Sequence, residues 1–118
     1  MAYELTLKRN DLQPYLYLKA IESTGTVIDL TGATIRATMK RIDDGTLKIN
    51  RQTAGVTITS ATTGLFQYQW QSATSTSDTN TTGAYTFEFE ITPGSGGKFT
   101  LPVNQTLRVN IIPDDDAT

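Results

Sequence analysis

The chain has 118 residues, enough for one domain that buries a core without staples, and its lack of cysteine and histidine excludes disulfides, zinc sites of the usual kinds and the commonest general base. Its formal net charge of −2 argues against a partner bound mainly through phosphates, so no nucleic-acid partner is expected. No apolar run approaches the roughly 18 residues of a membrane span, and the alternating N-terminus lacks the continuous apolar stretch of a signal peptide, so we expect neither membrane insertion nor export.

Alternation of apolar and polar residues is the main periodic signal along the chain, and a period of two is typical of half-buried strands. In chain order, the apolar positions of these segments are Leu5 and Leu7, Leu16 and Leu18, Ile35 to Met39, Leu47 and Ile49, Val56 and Ile58, Phe66 to Trp70, Tyr85 to Ile91, and Leu107 to Ile111. Asp44-Gly45 predicts a hairpin turn between the third and fourth segments. Ile28 and Leu30 predict a further short strand before a turn or bulge at Gly32.

One stretch rich in Ser and Thr, residues 71–82, has no apolar face. We expect it to be a loop, with at most one helical turn starting at Ser77 or Asp78. The spacing of the strands predicts an all-β antiparallel sandwich or barrel. Residues 1–112 are expected to form this single domain, and residues 113–118 an acidic C-terminal tail.

Glu88 and Glu90 raise the question of a catalytic carboxylate pair, because they lie two residues apart beside aromatic residues. On a strand this spacing is about 7 Å, which a glycosidase could use. Such a pair also needs a cleft and a cause for one raised pKa, and the sequence indicates neither. The alternation instead places both carboxylates on the solvated face, opposite Phe87 and Phe89.

Other polar groups also fail to indicate a chemical centre. The acidic pair Asp43-Asp44 and the acidic run near the C-terminus do not have the spacing of an EF-hand loop, so no metal site is expected. Ser72, Ser75 and Ser77 have no histidine to activate them. We therefore expect no catalytic residue, no cofactor and no enzymatic activity.

Aromatic residues allow two interpretations. Tyr15, Tyr17 and Trp70 could stack against sugars if they were exposed, which would suit a module that binds a host glycan. Aromatic positions on the strands of a small β domain more often belong to the core. The direction in which Trp70 points separates these interpretations.

The residues around Tyr85 resemble the tyrosine corner of immunoglobulin-like sandwiches, in which a tyrosine at a strand start bonds upstream backbone through its hydroxyl. Gly83 precedes Tyr85 by two residues, and Phe87 occupies the position where a cysteine would be expected. Packing of Phe87 must then take the place of an inter-sheet disulfide. The predicted fold is an all-β, antiparallel immunoglobulin-like β-sandwich of about 7–9 strands.

A string of motifs over about residues 5–112 resembles the immunoglobulin-like domain at the N-terminus of phage baseplate upper proteins and in related tailed-phage virion proteins. The motifs, in order, are Asn10 to Pro14, Val27 to Ile35 with Leu30 and Gly32, Ala61 to Gly64, Phe66 to Trp70, Asp78 with Gly83-Ala84-Tyr85, Phe87 to Glu90, and Lys98 to Pro102. The chain departs from the pattern in having Asn10 for a glycine and Leu101 before the final proline. Since no coiled coil or receptor-binding region follows, the resemblance favours a virion domain of this type over a baseplate upper protein itself.

The resemblance implies a non-enzymatic structural protein of the virion, in the tail or baseplate, assembled in the host cytoplasm in multiple copies and bound to other virion proteins. A capsid decoration or head–tail connector subunit and a carbohydrate-binding host-attachment module are the alternatives. Sheet edges recruit other chains by strand addition, and the first strand (residues 4–9) and the last (residues 104–112) are the expected edges. The candidate interface residues are Glu4, Lys8, Arg108, Asp114, Asp115 and Asp116.

Overall fold

Nine strands and no helix are found among the residues that the computed structural model describes, which are 2–22, 24–72, 77–94, 97–101 and 106–113. The strands are β1 (Ala2–Lys8), β2 (Leu16–Lys19), β3 (Thr34–Arg41), β4 (Leu47–Gln52), β5 (Val56–Ser60), β6 (Leu65–Tyr68), β7 (Gly83–Thr92), β8 (Phe99–Leu101) and β9 (Thr106–Ile112). The predicted all-β fold class is therefore confirmed.

The strands form two sheets. The large sheet has the order β1-β9-β7-β3-β4, with β8 also paired to β7, and the small sheet has the order β2-β6-β5. The centre of the large sheet is the antiparallel pair β3–β7. This pair is in continuous register, from Thr34 opposite Thr92 to Arg41 opposite Tyr85. This long ladder fixes which side chains of the large sheet face the core.

One strand pair differs from the expected antiparallel arrangement, because β1 runs parallel to β9. Parallel neighbours cannot be joined by a hairpin and need a long connection. β1 and β9 lie at opposite ends of the described chain, so the intervening seven strands provide that connection. Local alternation contains no information about this pairing.

A layer of aromatic rings joins the two sheets. Phe66 of the small sheet meets Phe89 of the large sheet edge-to-face at a centroid distance of 5.1 Å, and Tyr68 meets Phe87 in the same way at 5.3 Å. Edge-to-face pairs of this kind add to the stabilisation from buried area. The alternating residues thus point inward from both sheets, as a sandwich requires.

The predicted short strand at Ile28 and Leu30 is not formed. The Ile28 amide donates to the carbonyl of Ala20, whereas the Leu30 amide donates to the carbonyl of Ala61. Because two different segments satisfy these amides, no continuous ladder exists, although Leu30 is fully buried. The segment is a buried connection rather than a strand.

Strand order also decides which strands are sheet edges. β1 is an edge of the large sheet, as expected, but β9 lies between β1 and β7, so the expectation that the last strand is an edge was wrong. The other edge, β4, is interrupted by register shifts against β3 and contains Arg51 at a φ of 50°. Bulges of this kind commonly prevent an edge strand from pairing with another chain.

Candidate interaction surface

The residues of the Tyr85 region form a tyrosine corner. The Tyr85 ring is 1% exposed, and its hydroxyl donates to the Thr81 carbonyl over 2.7 Å. Gly83 has a φ of 148°, and a Cβ there would lie 2.8 Å from Nε of Arg41. Arg41 in turn donates to the carbonyl of Thr82 over 3.0 Å. These groups hold the start of β7, and they have a structural role.

Of four further predicted residues, three lie in the core and Gly32 is exposed in a turn. Leu30, Phe87 and Trp70 are buried, and Gly32 adopts a φ of 71° in the turn before β3. Trp70 is 3% exposed, packs edge-to-face on Phe87, and donates from Nε1 to the Pro14 carbonyl over 2.9 Å. Its ring face is therefore not available to stack on a sugar.

Tyr17 is the most exposed of the large hydrophobic side chains that the structure describes, at 66%. The ring of Tyr15 lies 6.4 Å from it with the planes inclined at 52°. The two rings do not share a plane, so they do not form the flat platform that a sugar ring would need. Tyr17 alone remains available for contact with a ligand.

A buried carboxylate was not identified as functional from the sequence. Asp78 is 9% exposed, and its Oδ2 accepts from the Tyr68 hydroxyl over 2.5 Å and from the Gln71 amide over 2.7 Å. Gln52 donates to the Tyr68 oxygen over 3.1 Å. Burial, together with the hydrogen bond to Asp78, raises the pKa of Tyr68. The sequence showed Asp78 in a motif but gave no signal of its partner ten residues upstream.

Asp78 also lines a polar groove of about 410 Å³, together with Lys48, Gln52, Gln71 and Ser77. Nζ of Lys48 donates to Oδ1 of Asn80. The groove offers amide, hydroxyl and ammonium groups. Oδ2 of Asp78 accepts from two donors, the Tyr68 hydroxyl and the Gln71 amide, so this oxygen links Asp78 to both residues.

Glu90 belongs to a cluster of charges on the outer face of the large sheet. Its carboxylate accepts from Nη2 of Arg51 over 2.9 Å and lies 3.7 Å from Nζ of Lys98. The hydrogen bond from Arg51 lowers the pKa of Glu90 below its ordinary value. A general acid needs a raised pKa, so this geometry is the opposite of what an acid in a carboxylate pair requires.

Arg51 reaches Glu90 because the chain bulges there. Its backbone amide donates to Oγ1 of Thr38 over 3.2 Å, and its positive φ turns the side chain over the sheet. Together with Lys40 and Glu88, these residues border a groove of about 350 Å³. Glu88 is exposed there, whereas Phe87 and Phe89 are buried, so the carboxylates lie on the solvated face.

The candidate interface residues Glu4, Lys8 and Arg108 lie on one face of the β1–β9 pair. Glu4 is in register with Arg108, and its Oε2 lies 3.7 Å from Nε of that arginine. All three side chains are exposed. The structure therefore brings Glu4 and Arg108 together, and it places Lys8 four residues further along the edge strand β1. Asp114, Asp115 and Asp116 lie outside the described residues.

Two further observations concern membranes and metals. In the part of the chain that the structure describes, no helix is long and apolar enough to cross a bilayer. Across the same residues, no group of three or more acidic side chains is positioned to hold a metal ion.

Comparison with known proteins adds no relative to this picture. No family model matches the chain, and a search of the curated proteins finds no significant match.

Proposed function

We propose that this chain is a non-enzymatic structural component of a tailed-phage virion, in the tail or baseplate, and that it acts through contacts between subunits. It is present in multiple copies and binds other virion proteins, without a cofactor, nucleic acid or membrane. The motifs from Asn10 to Pro102 support the virion assignment by resemblance. The observation that carries the proposal is the order of the strands in the two sheets, because the strands contain several of those motifs.

That order supports an immunoglobulin-like sandwich. In variable-type domains, strands G, F, C and C′ belong to one sheet and strands B, E and D to the other. The orders β9-β7-β3-β4 and β2-β6-β5 are compatible with this arrangement, and β1 and β8 extend the large sheet beyond it. Tyr85 lies at the start of β7, the equivalent of strand F, where the tyrosine corner is expected. Because a fold alone does not define a function, the motifs and the order must be taken together.

The open edge supports a role in assembly. Among the described residues β1 pairs only with β9, and the exposed Glu4 and Lys8 lie on this edge strand, with Arg108 on the neighbouring β9. Strand addition at such an edge supplies main-chain hydrogen bonds, and flanking side chains supply specificity. A small β domain joins larger assemblies in this way without any reaction.

Immunogold labelling of particles produced from the encoding phage genome tests the proposal. An antibody against the purified chain should label the tail or baseplate, while an antibody against the major capsid protein should label the heads of the same particles. Label on the head or neck would favour the capsid decoration or connector alternative. Purified particles that lack the chain by mass spectrometry would refute the proposal.

The carbohydrate-binding alternative rests on one observation, the exposed Tyr17 ring. A glycan array of host surface polysaccharides, probed with the wild-type protein and with Tyr17→Ala, tests it directly. The structural role predicts no glycan signal from either protein. Binding that depends on Tyr17 would assign host attachment instead.

A further inference from the structure

We propose that β1 pairs antiparallel with β1 of a second copy of this chain, about a two-fold axis at Thr6, so that two large sheets become one continuous sheet. This inference rests on the proposed role in subunit contacts and names the partner of the β1 edge. It depends on the backbone of β1 and on five successive side chains, Glu4 to Lys8.

The edge formed by β1 is the longest regular edge that the structure describes. Its seven residues match β9 in unbroken register, from Ala2 with Thr106 to Lys8 with Ile112. The remaining edges are less suitable: β4 and β5 have register shifts, and β2 has four residues. A regular edge of this length is a template for another strand.

Glu4 and Lys8 determine the orientation and the register. In an antiparallel pair centred on Thr6, Glu4 of each copy lies opposite Lys8 of the other, so two opposite-charge pairs form by symmetry. Parallel pairing in register would place Glu4 opposite Glu4 and Lys8 opposite Lys8. Antiparallel pairing centred on Leu5 or Leu7 would not bring Glu4 opposite Lys8. Of these arrangements, only the antiparallel pair centred on Thr6 places both Glu4 and Lys8 opposite a residue of the other charge.

The inner face of the strand fits the same arrangement. Leu7 is buried in the core and Leu5 is half-buried at its margin. With the axis at Thr6, Leu5 of each copy lies opposite Leu7 of the other, so the apolar layer of one sandwich continues into the next. A partner strand would cover the exposed part of Leu5.

Arg108 extends the charge pattern into the sheet. It already lies beside Glu4, with 3.7 Å between Nε and Oε2. In the dimer, Glu4 would have Arg108 of its own chain on one side and Lys8 of the second copy on the other. A carboxylate between two cations across three adjacent strands favours this register over a shifted one.

Charge reversal at the two positions tests the inference by sedimentation velocity at micromolar protein concentration. The wild-type protein should be a dimer. Glu4→Lys and Lys8→Glu should each weaken the homodimer about tenfold or more, because each variant places two like-charge pairs across the axis. The double variant Glu4→Lys/Lys8→Glu should dimerise more strongly than either single variant, since the opposite-charge pairs across the axis return in reversed order, but less strongly than the wild type, because Lys at position 4 then lies beside Arg108.

Mixing the two single variants gives the sharpest result. In a mixed dimer, the new lysine of one copy faces the new glutamate of the other, and the two unchanged side chains also form a pair. Native mass spectrometry should therefore show a heterodimer from two proteins that dimerise poorly alone. As a control for net charge, Glu4→Lys mixed with Lys19→Glu should form less heterodimer, because Lys19 is an exposed residue of the small sheet and the mixed dimer keeps one like-charge pair across the axis.

Thermal melting of each variant confirms that the fold is retained. A monomeric wild-type protein, or a mixture of the single variants that fails to pair, would overturn the inference. These outcomes are separate from those for the virion role. A chain found in particles but monomeric alone refutes only the β1 pairing, and a dimeric chain absent from particles refutes only the virion role.

Discussion

Removing the hydroxyl from Tyr68 and from Tyr85 is the same chemical change made at two buried rings with different partners. The Tyr68 hydroxyl donates to a carboxylate of the buried Asp78. The Tyr85 hydroxyl donates to the carbonyl of Thr81, which is an exposed residue. In both variants the ring remains and the apolar packing is preserved, so the difference in stability reports on the hydrogen bonds of the two hydroxyls, including the one that Gln52 donates to Tyr68.

The structure predicts that Tyr68→Phe and Tyr85→Phe lower the free energy of unfolding by different amounts. A hydrogen bond to a charged group contributes about 1.5–3 kcal/mol, and one between neutral groups about 0.5–1.5 kcal/mol. Tyr68→Phe leaves the Asp78 carboxylate buried with one donor fewer, so we expect the upper range. Tyr85→Phe leaves a carbonyl that water can reach, so we expect the lower range. Tyr85→Ala, which also creates a cavity, should cost about 3–5 kcal/mol.

Urea denaturation, followed by the fluorescence of Trp70, measures all three free energies of unfolding. Equal m-values for the variants would show that the denatured states are comparable. A Tyr85→Phe variant that loses as much stability as Tyr68→Phe would refute the reasoning about Asp78. A Tyr85→Phe variant as unstable as Tyr85→Ala would refute the tyrosine corner.

The remaining predictions concern a glycine, a titration and the tail. Gly83→Ala should destabilise the fold more than Gly32→Ala in thermal melts, because both have positive φ but only a Cβ at position 83 would lie 2.8 Å from Arg41; equal losses would exclude this contact as the cause. Because the folded-state pKa of Tyr68 is raised, its contribution to stability is complete below the unfolded value of about 10 and is lost as pH rises above it. Denaturation at increasing alkaline pH should therefore show a shallower loss for Tyr68→Phe than for the wild type, and identical slopes would contradict this. Deleting residues 113–118 should leave the melting temperature unchanged but lower particle occupancy in a salt-dependent way; unchanged occupancy would show that the tail makes no contact.

Local sequence pattern was sufficient for most of the strands and for the side chains that they bury. Phe87 and Phe89 alternate with Glu88 and Glu90, and the structure buries the first pair and leaves the second on the outer face. Asp44-Gly45 likewise indicated the β3–β4 hairpin. These features depend on neighbours within a few residues, so the chain specifies them locally.

The same pattern failed where one segment serves two partners. Ile28 and Leu30 alternate as a strand would, yet their amides bond to Ala20 and to Ala61. The alternation correctly indicated that Leu30 points inward. It could not indicate that no single neighbouring strand accepts both hydrogen bonds, because that depends on the positions of two distant segments.

The sequence and the tertiary structure each determine a different part of the candidate surface at β1. The sequence by itself determined the charge order along β1, since Glu4, Thr6 and Lys8 share one face of any strand that they form. Only the tertiary structure decided that β1 is an open edge beside Arg108, that β9 is interior, and that Arg51 bulges over Glu90. These contacts join residues 39 or more positions apart, and the local sequence around each residue does not indicate which distant residue it will contact. Strand pairing over such separations is decided by the total burial of the two sheets, which no local window of sequence contains.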